Sequence, residues 1–232
     1  MRNFFIYNGI HSSDYGCYID SWNKDDAPER VVENVAVPGR NGTVTIDGGR
    51  YENIVVPYKV FIDADFAMRI PELKGRLLAD SGYHRLEDTI HPEEYRMAKC
   101  VSGLSATESQ ERKKGYFDLK FDCMPQRFLK SGETVVTLSA SGKIYNPTQC
   151  QAKPLLKIYG TGDVYLNNQK ITIRAATNYT YIDCEIMEAY NGSVNCNANV
   201  TLPDELFLTA GENTITLSQV SGVEIKPRWW MI

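Results

Sequence analysis

The chain has 232 residues, of which 43% are hydrophobic and 23% are charged, and this is the composition of an ordinary globular protein. A chain of this length can bury either one large core or two smaller ones. The formal net charge is -4 and no lysine and arginine cluster is present, so a surface that neutralises nucleic-acid phosphates is not expected. No apolar run is long enough to span a bilayer or to form the core of a signal peptide. We therefore expect a protein that folds in the cytoplasm and binds neither nucleic acid nor membrane.

Short β-type segments dominate the first half of the chain. Strands are predicted at residues 4–7, 15–19, 30–37, 43–46, 54–62, 83–86, 92–98 and 116–123. One segment instead has a helical period, because Phe66, Ile70, Leu73 and Leu77 fall on one face of a helix. We predict this helix near residues 66–80, with its regular part beginning at Pro71.

A turn-rich segment separates the strands predicted at 30–37 and 43–46. Its proline and glycines supply the fixed φ and the positive φ that a chain reversal needs. From spacing alone this is an ordinary β-hairpin. Arg40, however, places five fixed hydrogen-bond donors at the exposed end, so the tip is also a candidate element of subunit assembly. The tip consists of Val37, Pro38, Gly39, Arg40, Asn41 and Gly42.

The second half consists of short predicted strands separated by turns, and no helical period occurs there. A Ser- and Gly-containing stretch at 126–148 precedes strands predicted at 155–159, 163–166, 169–173, 179–186, 193–195, 206–208, 214–218 and 223–227. Many short strands separated by Gly and Asn turns are typical of a β-sandwich. We place a domain boundary near residue 130.

The order of these segments resembles the phage distal tail protein family, often called Dit, which builds the hub at the tip of a long non-contractile tail. In the first half the resemblance depends on residues 4–19, on the turn from Val37 to Gly42 and on Tyr51-Glu52-Asn53. In the second half it depends on residues 152–162, 181–185, 202–203, 210–215 and 225–232, which look like the galectin-like domain of many members. The order of the motifs carries the resemblance, which extends over nearly the whole chain.

The resemblance implies a mainly β fold with two domains. Residues 1–130 would form a ring-forming domain, a β-sandwich or split barrel with one helix. Residues 131–232 would form a galectin-like β-sandwich whose last residues can pack back on the first domain. We expect a structural protein of the virion that is assembled in the host bacterial cytoplasm and has neither catalytic activity nor a cofactor. The expected partners are further copies in a ring, by analogy a hexamer, the tail tube protein, the tail-tip protein and a receptor-binding protein.

Patterns that would indicate catalysis are missing from the sequence. No nucleophile elbow, phosphate loop or dinucleotide fingerprint is present. The three histidines, His11, His84 and His91, have no metal-ligand spacing, so no metal site is expected. Eight carboxylates qualify by type for a glycosidase, but no pattern pairs any two of them. They are Asp63, Asp65, Glu87, Asp88, Glu93, Glu94, Asp183 and Glu185.

The six cysteines are widely scattered. In a reducing cytoplasm we expect them to be buried and apolar in character, without disulfides. They are Cys17, Cys100, Cys123, Cys150, Cys184 and Cys196.

A lectin would need an aromatic platform beside groups that read sugar hydroxyls. The late candidates are Arg228, Trp229 and Trp230. We expect these residues to hold the terminus in the fold or to form a subunit contact, because large aromatics dominate such contacts. The second domain is then expected to bind no simple sugar. Two alternatives stay open: a carbohydrate-binding module or adhesion protein for host cell-wall glycans, and a glycan-degrading tail enzyme.

Overall fold

The computed structural model describes residues 2–22, 27–101, 103, 106–108 and 114–232. The chain divides into two compact units, Met1–Arg127 together with Ile232, and Phe128–Met231. Strands form most of the regular structure, and the described residues contain one α-helix. The prediction of a mainly β fold with one helix is confirmed.

The elements of the first unit begin with a short strand near the N-terminus. They are β1 (Phe5–Tyr7), β2 (Ile10–His11), a 3-10 turn (Ser12–Tyr15), β3 (Cys17–Trp22), β4 (Arg30–Ala36), β5 (Thr43–Tyr51), β6 (Ile54–Ile62), α1 (Phe66–Leu77), β7 (His84–Asp88), β8 (Glu94–Cys100), β9 (Ala106–Glu108) and β10 (Gly115–Cys123).

One antiparallel sheet organises the first unit, in the strand order β2-β1-β7-β8-β10-β6-β3, with β9 also paired to β10. Asn3 bridges to Ile19 in β3, and the Ile19 amide donates to the Asn3 oxygen at 2.8 Å. Asn3 lies just before β1, near one end of this strand order, and Ile19 lies in β3 at the other end. The sheet therefore curls towards a barrel, as the split-barrel expectation requires.

The core of the first unit lies between the curled sheet and α1. In β10, Phe117, Leu119 and Phe121 are buried, and the residues between them are exposed, because successive side chains of a strand point to opposite faces. The helix adds Phe66, Leu73 and Leu77 to this core. A Cβ at Gly115 would lie 2.3 Å from the Phe66 ring, so only glycine lets the helix approach β10 this closely.

The prediction that the regular helix begins at Pro71 is wrong. The helix begins at Phe66, preceded by Asp65 in the left-handed conformation at φ 52°. Pro71 has no amide to donate to the carbonyl of Ala67. Both residues are exposed, so water can satisfy that carbonyl, and a proline inside the helix is tolerated at this point.

The elements of the second unit follow β11 (Arg127–Leu129), which spans the division. They are β12 (Val136–Leu138), β13 (Gly142–Asn146), β14 (Leu155–Tyr159), β15 (Gly162–Leu166), β16 (Gln169–Ile173), β17 (Tyr179–Asp183), β18 (Glu188–Asn191), β19 (Val194–Asn195), β20 (Val200–Thr201), β21 (Gly211–Ser218), β22 (Gly222–Lys226) and β23 (Trp230–Met231), with 3-10 turns at Lys130–Glu133 and Asn197–Asn199.

Two antiparallel sheets form the second unit, one in the order β12-β22-β14-β17-β18-β19 and the other in the order β13-β21-β15-β16-β20. Each sheet sends alternate side chains into a shared core. Leu156 and Ile182 come from the first sheet, Val164 and Ile171 come from the second, and all four are fully buried. The unit is therefore a two-sheet sandwich.

Candidate assembly surface

The predicted hairpin exists as a separate two-stranded sheet. β4 and β5 pair with each other and with no other strand in the described part of the chain. Their register places Glu33 opposite Ile46 and Val35 opposite Val44. Because alternate residues share a face, these four side chains lie together. The other face carries Val32, Asn34, Ala36, Thr43, Thr45 and Asp47.

The first of these faces is apolar and exposed. Val35 is 38% exposed, Val44 37% and Ile46 53%, and none of them belongs to a buried core. The Glu33 side chain among them forms no hydrogen bond or ion pair with residues that the structure describes. We name the surface formed by Glu33, Val35, Val44 and Ile46 the hairpin face. An isolated two-stranded hairpin is at best marginally stable in water, so such a face is expected to be covered by another molecule.

The tip from Val37 to Gly42 is exposed throughout. The Arg40 amide donates to the Val37 oxygen at 3.1 Å, and Gly39 has φ 79°. Proline followed by a residue of positive φ is the signature of a type II turn. Within the described residues, the Arg40 side chain has no hydrogen bond or ion pair. Its donors are therefore available to a partner.

The Asp47 carboxylate accepts several hydrogen bonds at the root of the hairpin, the end away from its tip. Arg30 Nε donates to Asp47 Oδ1 at 3.1 Å, and its Nη2 contacts the second oxygen of the same group. The Gly49 amide also donates to Asp47 Oδ1, at 2.9 Å. These bonds, that of Arg30 first, lower the pKa of Asp47. A register shift between Arg30 and Val32 lies beside this cluster.

A cleft lies in the first unit where the start of β6 meets β7 and β8. It is partly open to solvent and has both apolar and charged lining residues. Both acidic side chains of the cleft already accept hydrogen bonds from other groups of the chain. Glu94 accepts two bonds from Arg127, at 2.6 and 2.7 Å, while Asp88 accepts from the Tyr58 hydroxyl at 2.7 Å and from two backbone amides that follow it. The lining residues are Trp22, Ile54, Val55, Val56, Pro57, Tyr58, Leu86, Asp88, His91, Glu94, Tyr95, Arg96 and Arg127.

Arg96 is the unusual residue of this cleft. It lies on β8 opposite Leu86, and its Nη1 is buried without a hydrogen-bond partner among the described residues. Burial lowers the pKa of Arg96, as expected for a cation that loses water. A buried donor without an acceptor costs about 1–3 kcal/mol. Arg96 therefore carries a buried donor that no other described residue satisfies.

The outward face of the six-stranded sheet carries a row of aromatic side chains. Tyr159 lies opposite Tyr179, and Tyr181 lies opposite Tyr190. Their ring centroids are 6.2 Å apart for Tyr159 and Tyr179, 5.4 Å for Tyr179 and Tyr181, and 5.4 Å for Tyr181 and Tyr190. The Lys157 ammonium lies 4.7 Å from the centre of the Tyr179 ring. We call the four tyrosines the tyrosine row.

The residues predicted to hold the terminus lie in the second unit. Trp229 is only 5% exposed and belongs to the sandwich core. Trp230 Nε1 donates to the Gln151 carbonyl at 2.8 Å. Arg228 donates two bonds to the Asp183 carboxylate, at 2.7 and 2.9 Å. With Trp229 buried, that ring cannot serve as a sugar platform.

Several carboxylates that qualify by type for a glycosidase are paired with arginine. In such a pair the carboxylate oxygens are occupied by the guanidinium, so they are not available to a substrate. The described residues hold no group of three or more His, Cys, Asp or Glu side chains that could bind a metal. The pairs are Arg2–Asp63, Arg85–Glu87, Arg127–Glu94 and Arg228–Asp183.

All six cysteines are free. Cys17, Cys123 and Cys184 are buried, and desolvation raises the pKa of each thiol to about 12. The expectation of burial does not hold for the other three, which are partly exposed. Among the described residues, no helix combines the length and apolar character needed to cross a membrane.

Neither the cleft nor the tyrosine row was predicted from the sequence. The tyrosines at 179 and 181 alternate within one predicted strand, and that alternation was a usable signal. Arg96 stands two residues before the buried Ala98 and so faces the core side of β8. This position is visible only once the bounds of the strand are known.

No protein-family model and no curated protein matches the sequence. Solved structures do match its fold. The crystal structure of the SPP1 Dit (gp 19.1) protein, described as a paradigm of the hub adsorption apparatus in phages that infect Gram-positive bacteria, aligns with a TM-score of 0.75 and 14% identity over 100% of both chains. A chain of the phage P2 baseplate, in its activated conformation with Ca, aligns with a TM-score of 0.50 and 9% identity over 97% of each chain. The resemblance to the distal tail protein family is thus confirmed at the level of the fold.

Proposed function

We propose that the chain is a structural hub protein of a phage tail tip, a distal tail protein that forms a ring between the tail tube and the host-adhesion components. The hairpin face is the observation that carries this proposal. It exposes Val35, Val44 and Ile46 on a strand pair that no other described strand supports. The similarity of fold to SPP1 Dit, along the whole length of both chains, supports the same function.

The hairpin is built to be covered by a partner. Burying apolar surface stabilises by about 25 cal/mol per Å², and the exposed part of the hairpin face gains none of this within its own chain. Further copies are the natural partner, because most soluble oligomers are symmetric assemblies of one chain. A contact between two different surfaces of the same chain closes into a ring when the rotation between copies allows it. By analogy with the family, we propose a hexamer.

The two domains would have separate tasks. Residues 1–130 would make the ring contacts and would stack against the tail tube protein and the tail-tip protein. Residues 131–232, a sandwich that we propose to be galectin-like, would serve the contacts to a receptor-binding protein. DNA would pass through the channel of the ring, and a chain of net charge -4 would not hold it.

Ring formation is tested on the purified full chain. Light scattering across a range of concentrations should give a mass that rises to a multiple of the 26.2 kDa chain, and negative-stain images should show a ring with a central hole. A mass that stays at one chain at every concentration, without rings in the images, would contradict the proposal.

Carbohydrate binding by the second unit is the second candidate function, and the tyrosine row favours it. Aromatic rings on an exposed sheet face can stack on the apolar faces of sugar rings, while hydroxyls and charged groups beside them bind sugar hydroxyls. Tyr159 donates to Glu224 at 2.6 Å, so the row has an acidic neighbour as well as Lys157.

Titration calorimetry with cell-wall polysaccharide fragments tests this candidate. Tyr181→Ala would remove the ring that touches two neighbours of the row. Tyr145→Ala is the matched control, because Tyr145 is 71% exposed on a strand of the other sheet. Saturable binding that Tyr181→Ala abolishes and Tyr145→Ala retains would support a glycan site. Absence of binding by the unmodified chain would remove this candidate.

A further inference from the structure

Three asparagines of the chain are followed directly by glycine. They are Asn8, Asn41 and Asn191. The side chain of an asparagine can react with the backbone nitrogen of the next residue. Glycine permits this reaction best, because it has no side chain to hinder the approach and few limits on its backbone angles. The structure distinguishes the three sites by how freely each asparagine can move.

The reaction is a deamidation that needs water and no catalyst. The glycine nitrogen forms a bond to Cγ of the asparagine, the bond from Cγ to the side-chain nitrogen breaks, and ammonia leaves with the proton of the glycine amide. The product is a five-membered succinimide ring. Water then opens the ring at either of its two carbonyls, which gives aspartate or isoaspartate. An asparagine whose Cγ is held away from the nitrogen therefore reacts slowly.

Asn191 is held by both its side chain and its backbone. It is the last residue of β18, and its side-chain nitrogen donates to the Tyr179 carbonyl at 2.9 Å. Its backbone is paired with Val194 of β19. Attack on Cγ requires a backbone angle ψ outside the extended range of a strand. The fold therefore has to open locally before Asn191 can react.

Asn8 is fixed by its backbone. With φ 50° at Asn8 and φ 74° at Gly9, these two residues form the tight turn between β1 and β2, and Tyr7 and Ile10 are paired beside it. The Asn8 amide also donates to the Arg85 carbonyl at 3.1 Å. A turn of this length leaves no spare backbone, so rotation at Asn8 would break the pairing of the adjacent strands.

Asn41 is held in neither way. Asn41 and Gly42 are both exposed, and within the described residues neither the Asn41 side chain nor the Gly42 amide forms a hydrogen bond. The pairing of β4 with β5 ends at Ala36 and Thr43, so residues 37–42 lie beyond the last paired position. Rotation at Asn41 therefore breaks no strand pairing.

We propose that Asn41 is the site at which the folded chain undergoes spontaneous deamidation, and that the fold protects Asn8 and Asn191. The reaction converts a neutral side chain at the hairpin tip into a carboxylate, so the formal net charge of -4 becomes one unit more negative. The isoaspartate product also adds one carbon to the path of the main chain. Both changes lie next to Arg40. The inference does not depend on the proposed hub function, because the reaction needs only an exposed tip.

Tryptic peptide mapping by mass spectrometry tests the proposal on the full chain after incubation at mildly alkaline pH. Trypsin cuts after Arg40 and Arg50, and the peptide between them contains Asn41 as its only asparagine. Deamidation raises the mass of this peptide by the difference between an amide and an acid. Asp47 lies in the same peptide but cannot produce this change, because it is already an acid. In the folded chain, Asn41 should convert at least about tenfold faster than Asn8 and Asn191.

The same chain unfolded in guanidinium chloride is the matched control. Without the fold, the three asparagines should convert at similar rates, because each has glycine as its next residue. Folding should then slow Asn8 and Asn191 and leave the rate at Asn41 nearly unchanged. Asn41→Gln should abolish the mass change in its peptide without altering the other two rates, because the longer side chain cannot close a five-membered ring.

The rates in the folded chain are measured at a concentration at which light scattering gives the mass of one copy. Protection of an asparagine then comes from its own chain and not from a neighbouring copy. If folding protects Asn41 as strongly as Asn191, the proposal is wrong. Conversion of Asn8 or Asn191 as fast as Asn41 in the folded chain would overturn it as well.

Discussion

Two hairpins of this chain have similar apolar alternation and opposite surroundings. In the β15–β16 pair, Val164 lies opposite Ile171 and both are fully buried between the sheets of the sandwich. In the β4–β5 pair, Val35 lies opposite Val44 and both are more than one third exposed. Alternation of apolar residues therefore predicts which face of a strand is apolar, but it does not say whether the chain itself or another chain covers that face.

The largest effect should come from truncating one buried side chain of the β15–β16 hairpin. Ile171→Ala is expected to lower the free energy of unfolding by about 2–5 kcal/mol, because a fully buried side chain leaves a cavity. Urea unfolding measures this change. Ile186→Ala, at a residue that is 60% exposed, should change the free energy of unfolding by less than about 0.5 kcal/mol. Equal losses in the two variants would mean that burial does not set the cost of truncation here.

The Arg228–Asp183 pair should give the next effect, and it depends on pH. Burial alone raises the pKa of Asp183, but the bonds from Arg228 and from backbone amides outweigh it, so the pKa is lowered. Stability from this pair is then complete above the ordinary Asp pKa of about 3.9 and is lost as the pH falls through the lower pKa of the folded state.

We therefore expect Asp183→Asn to cost about 1–3 kcal/mol of unfolding free energy at neutral pH, with a smaller cost below about pH 4. Urea unfolding of both chains at several pH values measures the difference. A cost that is the same at about pH 3 and about pH 7 would show that the charge of Asp183 does not contribute.

Substitutions in the exposed β4–β5 hairpin should affect the association of chains and not the stability of a single chain. Val44→Asp is expected to weaken association at least about tenfold, which corresponds to about 1.4 kcal/mol per contact. The melting temperature of the dissociated chain should stay nearly the same. Thr43→Asp, on the other face of the same strand, is the matched control and should leave association nearly unchanged. Equal weakening by both variants would mean that neither face is specific.

The tip should give the smallest effect. Arg40→Ala removes a side chain with no partner among the described residues, so we expect no change in the melting temperature of the dissociated chain. If the tip is an assembly element, association weakens by about threefold to tenfold, the range of one peripheral contact. A tip shortened to an Asn-Gly turn should behave in the same way. Oligomer mass that is unchanged in both variants would leave the tip as a simple turn.

Much of the fold was predictable because it depends on local pattern. The bounds predicted for β6, β14 and β16 agree with the structure, since each strand has strong alternation or clustering between clear turns. The helix was found from its apolar period, but its start was misplaced at Pro71, because local rules disfavour proline inside a helix whatever its exposure. β13 and β18 were missed, and the predicted strand at 206–208 contains only an isolated bridge between Ala152 and Leu208.

The candidate surfaces were predictable only in part. The hairpin and its tip follow from turn residues and from the alternation around them. The cleft depends on which strands become neighbours, since Trp22, Tyr58 and Arg96 come from three separate strands. The tyrosine row likewise needs the pairing of β14 with β17 and of β17 with β18. The spacing of residues in a single sequence does not show which distant strands pair.

The root of the hairpin has a consequence for the speed of assembly. The contact between Arg30 and Asp47 joins the two strands within the chain, and the Gly49 amide holds the Asp47 carboxylate in place. This contact favours the paired arrangement of the strands in the free chain, so less backbone entropy would be lost on docking in the proposed ring. Asp47→Ala would leave every residue of the hairpin face in place yet should slow association, because each encounter would first have to order the arm. The rate of the proposed ring formation would then report on a carboxylate that lies on the opposite side of the strand pair from the hairpin face.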